Sequence, residues 1–308
     1  MSTLFSHFSQ KINQISPLEH NFTEVLDTIA LKPKTLYFYG KIPENVLKNG
    51  KSARPKTVAI VGSRHNTKYG EEVAYRLAYK LAQHDVIVIS GLAFGIDSIG
   101  HRGCLDAGGV TIAVLGTPIN QIYPKDHTKL AQAILAQNGA IISEYAPDAK
   151  VYPKVSFLER NRLISGLADI VVVVEAAEQS GSLNTATHAI EQGKTVFAVP
   201  GNITNPYSQG CNKLIKQGAI PYTEPDDVLR ELFPEEYYKK RKKLKKAHLV
   251  GDTDVETKIL EAIAAGAKTG EQIMQLTLLP PEIFNQTITL LEIKSRVRAL
   301  GMNNWSLI

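Results

Sequence analysis

Cysteine is nearly absent: Cys104 and Cys211 are the only two in 308 residues, and they lie far apart in the chain. That excludes a disulfide framework and a cysteine-based metal site, and it fits a reducing cytoplasm. Long apolar runs are missing too; none approaches the ~20 residues that span a bilayer, so no membrane partner is expected. The first residues, Met1-Ser2-Thr3-Leu4-Phe5-Ser6-His7, show no basic region followed by an apolar core, so no secretory signal is read there. The eight histidines are dispersed without ligand spacing, and no metal site is expected. No glycine-rich loop runs into Gly-Lys-Ser/Thr, and no Gly-x-Ser-x-Gly elbow occurs with triad partners. The expectation is therefore a chain with no cofactor.

Excess charge is also scarcer than the total suggests. The net charge is +5, but Lys239, Lys240, Arg241, Lys242, Lys243, Lys245 and Lys246 supply seven positive charges within eight residues. Without them the remainder carries −2. The run reads as a basic linker, or an arm that tracks phosphates, over 236–252. A basic groove elsewhere must come from the arrangement of residues.

What the chain does have is a strand–turn–helix rhythm. Strands are predicted at 36–39, 57–61, 86–90, 110–115, 140–143, 170–174, 195–199 and 219–222. Helical patterns between them cover 69–84, 97–107, 125–137, 182–192 and 210–216. Such alternation implies an α/β fold with a doubly wound, mainly parallel sheet. Residues 1–50 read as a short N-terminal extension, 51–235 as the core, and 253–308 as a small winged-helix-like module of three helices and a hairpin.

In doubly wound sheets ligands bind at the carboxyl ends of the strands. Those tips carry low-profile residues: Gly62-Ser63-Arg64, then Ser90-Gly91-Leu92-Ala93-Phe94-Gly95-Ile96-Asp97, Gly116-Thr117 and Ser143-Glu144. The run Val171–Val174 empties into Glu175, followed by Ser180-Gly181-Ser182-Leu183-Asn184-Thr185, where small residues and a helix start favour an anion. Arg64 suits a phosphate because its planar fork bonds two oxygens at once. The segment Lys154–Arg162 sets cations around Phe157, a combination that recurs in single-strand binding. Arg160 and Arg162 are two apart on a helix, so at most one points at a given ligand. Glu175 is the one carboxylate that could act as a base; the alternative is that it bonds amides and hydroxyls at neighbouring tips.

Taken together, these motifs, with Arg160-Asn161-Arg162-Leu163-Ile164 and Val199-Pro200-Gly201, resemble the DNA-processing protein A family (DprA, also called Smf). The likeness runs from about residue 33 to 227. It implies an extended Rossmann-like domain that binds single-stranded DNA, dimerises, loads a RecA-type recombinase during natural transformation, and is not a catalyst. Carried over by position, Gly62, Ser63, Arg64 and the turn holding Ser90, Gly91, Ala93 and Gly95 would grip phosphate. Lys154 would stand at the groove mouth, Phe157 would stack on a base, and Arg160, Asn161 and Arg162 would line the pocket. Glu175, Ser180, Gly181, Ser182 and Thr185 would shape its floor. Glu159 departs from the family, whose members often place a basic residue there. Two other readings use the same sheet: a LOG-like phosphoribohydrolase with Glu175 in its chemistry, and a module that senses a small nucleotide.

Overall fold

The computed structural model describes residues 11–48, 51–235 and 250–307. The basic run at 239–246 lies outside the described residues. The chain divides into two compact units, Met1–Leu232 and Phe233–Ile308.

The first unit begins with β1 (Asn13–Ile15), β2 (Leu36–Gly40) and a small hairpin of β3 (Val46–Lys48) and β4 (Lys51–Ala53). The alternating part follows: β5 (Thr57–Val61), α1 (Lys68–Ala82), β6 (Ile87–Ser90), α2 (Ile96–Asp106), β7 (Thr111–Leu115), α3 (Thr128–Ala136) and β8 (Ala140–Ser143). It continues with α4 (Pro153–Leu167), β9 (Ile170–Val173), α5 (Gly181–Glu191), β10 (Thr195–Ala198), α6 (Gln209–Lys216), β11 (Ile220–Pro221) and α7 (Pro225–Leu232). Nine strands form one sheet in the order β1-β2-β8-β7-β6-β5-β9-β10-β11. From β8 to β11 every pairing is parallel; β2 runs antiparallel to β8, and β1 antiparallel to β2.

Every residue of β5, β6, β7, β8 and β9 is buried, because helices cover both faces of the parallel strands. Ala59, Val61, Ile112 and Val114 point to the side where α4 and α5 contribute Leu163, Ile164, Leu167 and Ala186. On the other face Ala113, Leu115 and Ile141 meet Leu130, Ala131 and Ile134 of α3. Residues 13–40, read from the sequence as an extension, are part of this unit: β1 and β2 widen the sheet, and Phe22, Leu26 and Ile29 enter the α4-side core. The strand expected at 219–222 shortens to Ile220–Pro221 at the sheet edge, where a proline costs no ladder bond.

Strand order carries the functional consequence. From β5 the chain steps outward through β6, β7 and β8, then returns to the other side of β5 with β9 and continues through β10 and β11. Beyond β5 and β9 the two connections diverge and leave a crevice, the topological switch point where such sheets take ligands.

The second unit has α8 (Asp254–Ala264), α9 (Gly270–Thr277), α10 (Pro281–Ile293) and a hairpin of β12 (Val297–Gly301) and β13 (Asn304–Leu307). Thr253 and Thr269 cap α8 and α9, and Pro281 opens α10. Ile259, Leu260, Phe284, Ile288, Leu291 and Val297 fill its core. Helices and hairpin follow the order expected for a winged-helix-like module.

Candidate nucleic-acid interface

At the switch point lies a cavity of about 440 Å³. Gly62, Ser63 and Arg64 from the β5 tip form one wall, and Phe157, Arg160 and Asn161 from α4 a second. Ser180, Gly181, Ser182 and Thr185 at the start of α5 form the floor, and Ala93 closes the side next to β6. Eleven of the seventeen residues nominated from sequence thus meet at one place. Ser90, Gly91, Gly95, Lys154, Arg162 and Glu175 do not line it.

Arg64 is exposed, and among the described residues no carboxylate forms an ion pair with it. Its guanidinium carbon stands 5.7 Å from the centre of the half-buried Phe157 ring. A cation left without an anion beside an aromatic face can receive a phosphate and a base together. At the floor, Ser180 caps α5 by accepting from the Ser182 amide at 3.3 Å, and its hydroxyl meets that of Ser182 at 2.8 Å. Gly181 is exposed at the first helical position, where the helix dipole is positive and no side chain blocks approach. Asn161 holds this helix start, donating from Nδ2 to the Gly181 carbonyl at 3.2 Å and to Asn184 Oδ1 at 3.1 Å.

The two arginines of α4 separate as the helical spacing requires. Arg160 is buried beneath the cavity and donates to the carbonyls of Gly91, at 2.9 Å, and Val114. Burial lowers its pKa to about 10, so it remains a cation at neutral pH. Arg162 leaves the pocket: it forms a two-pronged pair with Glu144 at 2.8 and 2.7 Å, and Nε donates to the Leu31 carbonyl at 2.9 Å. It fastens α4 to the segment before β2, which corrects its assignment to the pocket wall. Lys154 is exposed one helical turn from Phe157, on the same face of α4 but outside the cavity lining.

A second correction concerns the turn after β6. The amides of Gly91 and Ala93, expected to grip phosphate, donate instead to Asp97 Oδ2 at 3.0 and 3.4 Å. The Ser90 hydroxyl donates to the Ile60 carbonyl at 2.6 Å, inside the sheet. Gly91 is small for a packing reason: a Cβ there would lie 2.5 Å from the Arg160 guanidinium. Gly95 has φ +75°, and a Cβ there would lie 2.3 Å from the Ser63 carbonyl. Asp97, missed as a lining residue, is buried, and desolvation raises its pKa against the attraction of Arg160. Its signal was present in the Gly95-Ile96-Asp97 step, an acid opening a helix behind a glycine turn.

Glu175 is the third correction. Only 1% exposed, it accepts from the Thr67 amide at 2.8 Å and the Thr67 hydroxyl at 2.6 Å, tying the start of α1 to the β9 tip. Both carboxylate oxygens are engaged, and the residue stands behind the cavity instead of in its floor. His65, Gln179 and Tyr207 also line the cavity; His65 and Gln179 adjoin motifs read from the sequence, whereas nothing around Tyr207 pointed to it.

The sequence model of the family described as DNA recombination-mediator protein A matches residues 13–233. Protein Smf of Escherichia coli is 49% identical over 175 residues, which are 57% of this chain and 46% of that protein. The chain thus spans about half the length of this and other curated relatives it matches. DNA processing protein DprA of Bacillus subtilis is 37% identical over 74% of both chains. Among solved structures, DNA processing protein A of Streptococcus pneumoniae superposes with a TM-score of 0.62 at 35% identity, covering 72% of this chain and 75% of that one. The Helicobacter pylori protein, whose structure is described as revealing a unique single-stranded DNA binding mode, gives 0.64 at 31% identity, over 75% of this chain and 99% of that one. With its sheet, its switch-point crevice and this match in agreement, the chain belongs to the DNA recombination-mediator protein A family.

Proposed function

We propose that the chain binds single-stranded DNA in the switch-point cavity and acts, without catalysing a reaction, as a mediator that loads a RecA-type recombinase during natural transformation. On this reading it works in the cytoplasm as a homodimer. The observation that carries the binding step is the exposed Arg64, free of any ion pair among the described residues and beside the Phe157 ring. Its neighbours supply a helix start for phosphate and a buried Arg160 that adds positive potential from below. A strand with splayed bases offers the phosphate and the flat face this arrangement would engage. The recombinase and dimer steps rest on membership of the family.

The phosphoribohydrolase reading needs Glu175 to reach a ligand, and both its oxygens already serve Thr67. Oligonucleotide binding followed by fluorescence anisotropy tests the proposal. Log affinity for a single strand falls with log salt by about 0.7 per phosphate contacted. For the loading step, assembly of a RecA-type recombinase on a single strand is followed with and without the protein, and faster assembly in its presence is expected. Affinity indifferent to salt would overturn the binding step, and unchanged assembly the loading step.

A further inference from the structure

Two large aromatic side chains beside the cavity have no place in the core. Phe94 is 43% exposed and Tyr123 is 50% exposed. Phe94 projects from the turn after β6, next to Ala93 in the cavity lining; Tyr123 lies in the connection after β7. Leaving such rings in water forfeits the stabilisation that burial would give them. The turn that holds Phe94 is fixed by several polar contacts. Asp97 accepts from the amides at 91 and 93, Arg160 donates to the Gly91 carbonyl, and His127 Nδ1 meets the Leu92 carbonyl at 2.7 Å. Leu92 itself holds φ +60°, a left-handed conformation that L-residues other than Asn, Asp and His rarely take. A rigid, strained turn therefore presents an exposed ring outward.

These rings continue the aromatic surface of the cavity. Tyr123 packs on Phe157 with centroids 5.3 Å apart, and Phe94 meets the edge of His127 at 4.8 Å. Tyr123 and His127 belong to one short connection, four residues apart. The result is a chain of side chains from the β5–β9 switch point across the tips of β6 and β7: Arg64, Phe157, Tyr123, His127 and Phe94.

We propose that Phe94 and Tyr123 form a stacking ledge that takes the unpaired bases next to the one held at Phe157, so that the strand runs along the carboxyl edge of the sheet past β6 and β7. This rests on the single-strand reading above and extends it. A duplex keeps its bases stacked on one another and offers no free faces, so the ledge also selects single strands against double ones.

The test is anisotropy with oligothymidylate of about twelve nucleotides, within the range a groove of this kind covers, and with an abasic strand of equal length. Phe94→Ala and Tyr123→Ala are each expected to weaken oligothymidylate binding by about fivefold to a hundredfold. Neither alters binding of the abasic strand, while Phe94→Tyr keeps the wild-type affinity. If both alanine variants bind oligothymidylate like wild type while Arg64→Ala loses affinity, the ledge is wrong and the cavity reading stands. If the wild-type protein binds neither strand, the cavity reading itself fails. Equal weakening on both strands would also overturn the ledge, since that marks a change in phosphate contact or fold.

Discussion

His101 shows how one side chain can carry the acid sensitivity of the fold. It is fully buried on α2, with Nδ1 2.7 Å from the Thr111 hydroxyl, which in turn donates to the Val88 carbonyl at 2.7 Å. The hydroxyl's one proton is spent on Val88, so His101 must donate from Nδ1, leaving Nε2 as a bare lone pair. That atom is buried without a hydrogen-bond partner among the described residues. Burial chiefly, with repulsion from His127 and Arg160, lowers the pKa from 6.5 to about 3. A depressed folded-state value means that the unfolded chain binds the proton first. The stabilisation is full above pH 6.5 and is lost as pH falls toward 3, by up to about 1.4 kcal/mol per unit. Urea midpoints at pH 7 and pH 5 should thus fall more steeply for the wild type than for His101→Gln; parallel lines would contradict this. The same scale shows where sequence reading stops. Arg64 was legible because an arginine at a strand tip is expensive to bury. Helical spacing separates Arg160 from Arg162, but not which of them faces the pocket, since the carbonyls of Gly91 and Val114 and the Glu144 carboxylate that claim them are distant in sequence.

At the level of elements, the α/β alternation was readable because buried parallel strands leave uninterrupted runs such as Val171–Val174. The helix α4 was harder to see. Its buried face holds Arg160, Asn161 and Arg162, polar residues that break the apolar stripe by which a packed helix is recognised. The joining of β2 to the sheet was invisible, because its antiparallel partner β8 lies a hundred or more residues further along the chain, and β1 enters only by pairing with β2. Element termini also explain Glu175. It holds the first turn of α1 through Thr67, so its removal unfastens a helix instead of stopping a reaction. Glu175→Gln keeps the shape but weakens the charge-assisted bonds, and it should lower stability by about 1–3 kcal/mol. Chemical denaturation measures this. An unchanged midpoint, or loss of a nucleotide-cleaving activity in the variant, would contradict the structural role.

For the whole molecule, charge differs between the parts of the chain, and it bears on where the proposed DNA strand would lie. Residues 250–307 carry seven acidic and five basic side chains, a net of −2. The helix α10 bears Glu282 and Glu292 and no lysine or arginine between Pro281 and Ile293. A helix that entered a DNA groove would need the opposite sign to offset phosphate repulsion. The winged-helix-like order of elements, read from the sequence, does not by itself assign DNA binding to this unit. A chain ending at residue 249 should bind single strands with the affinity and salt slope of the full chain. A marked loss in the truncated protein would assign part of the binding to the second unit.

On the proposed function, the crevice between β5 and β9 holds a DNA strand through Arg64. Anisotropy of a labelled oligothymidylate with wild type and Arg64→Ala, each across a salt series, tests it most directly. The variant should lose at least the ~1.5–3 kcal/mol carried by a hydrogen bond to a charged group, and its salt slope should be shallower. The unfolding midpoint should not move, since Arg64 is exposed and forms no ion pair among the described residues. Equal affinity and equal slope in the two proteins would remove Arg64 from the binding site.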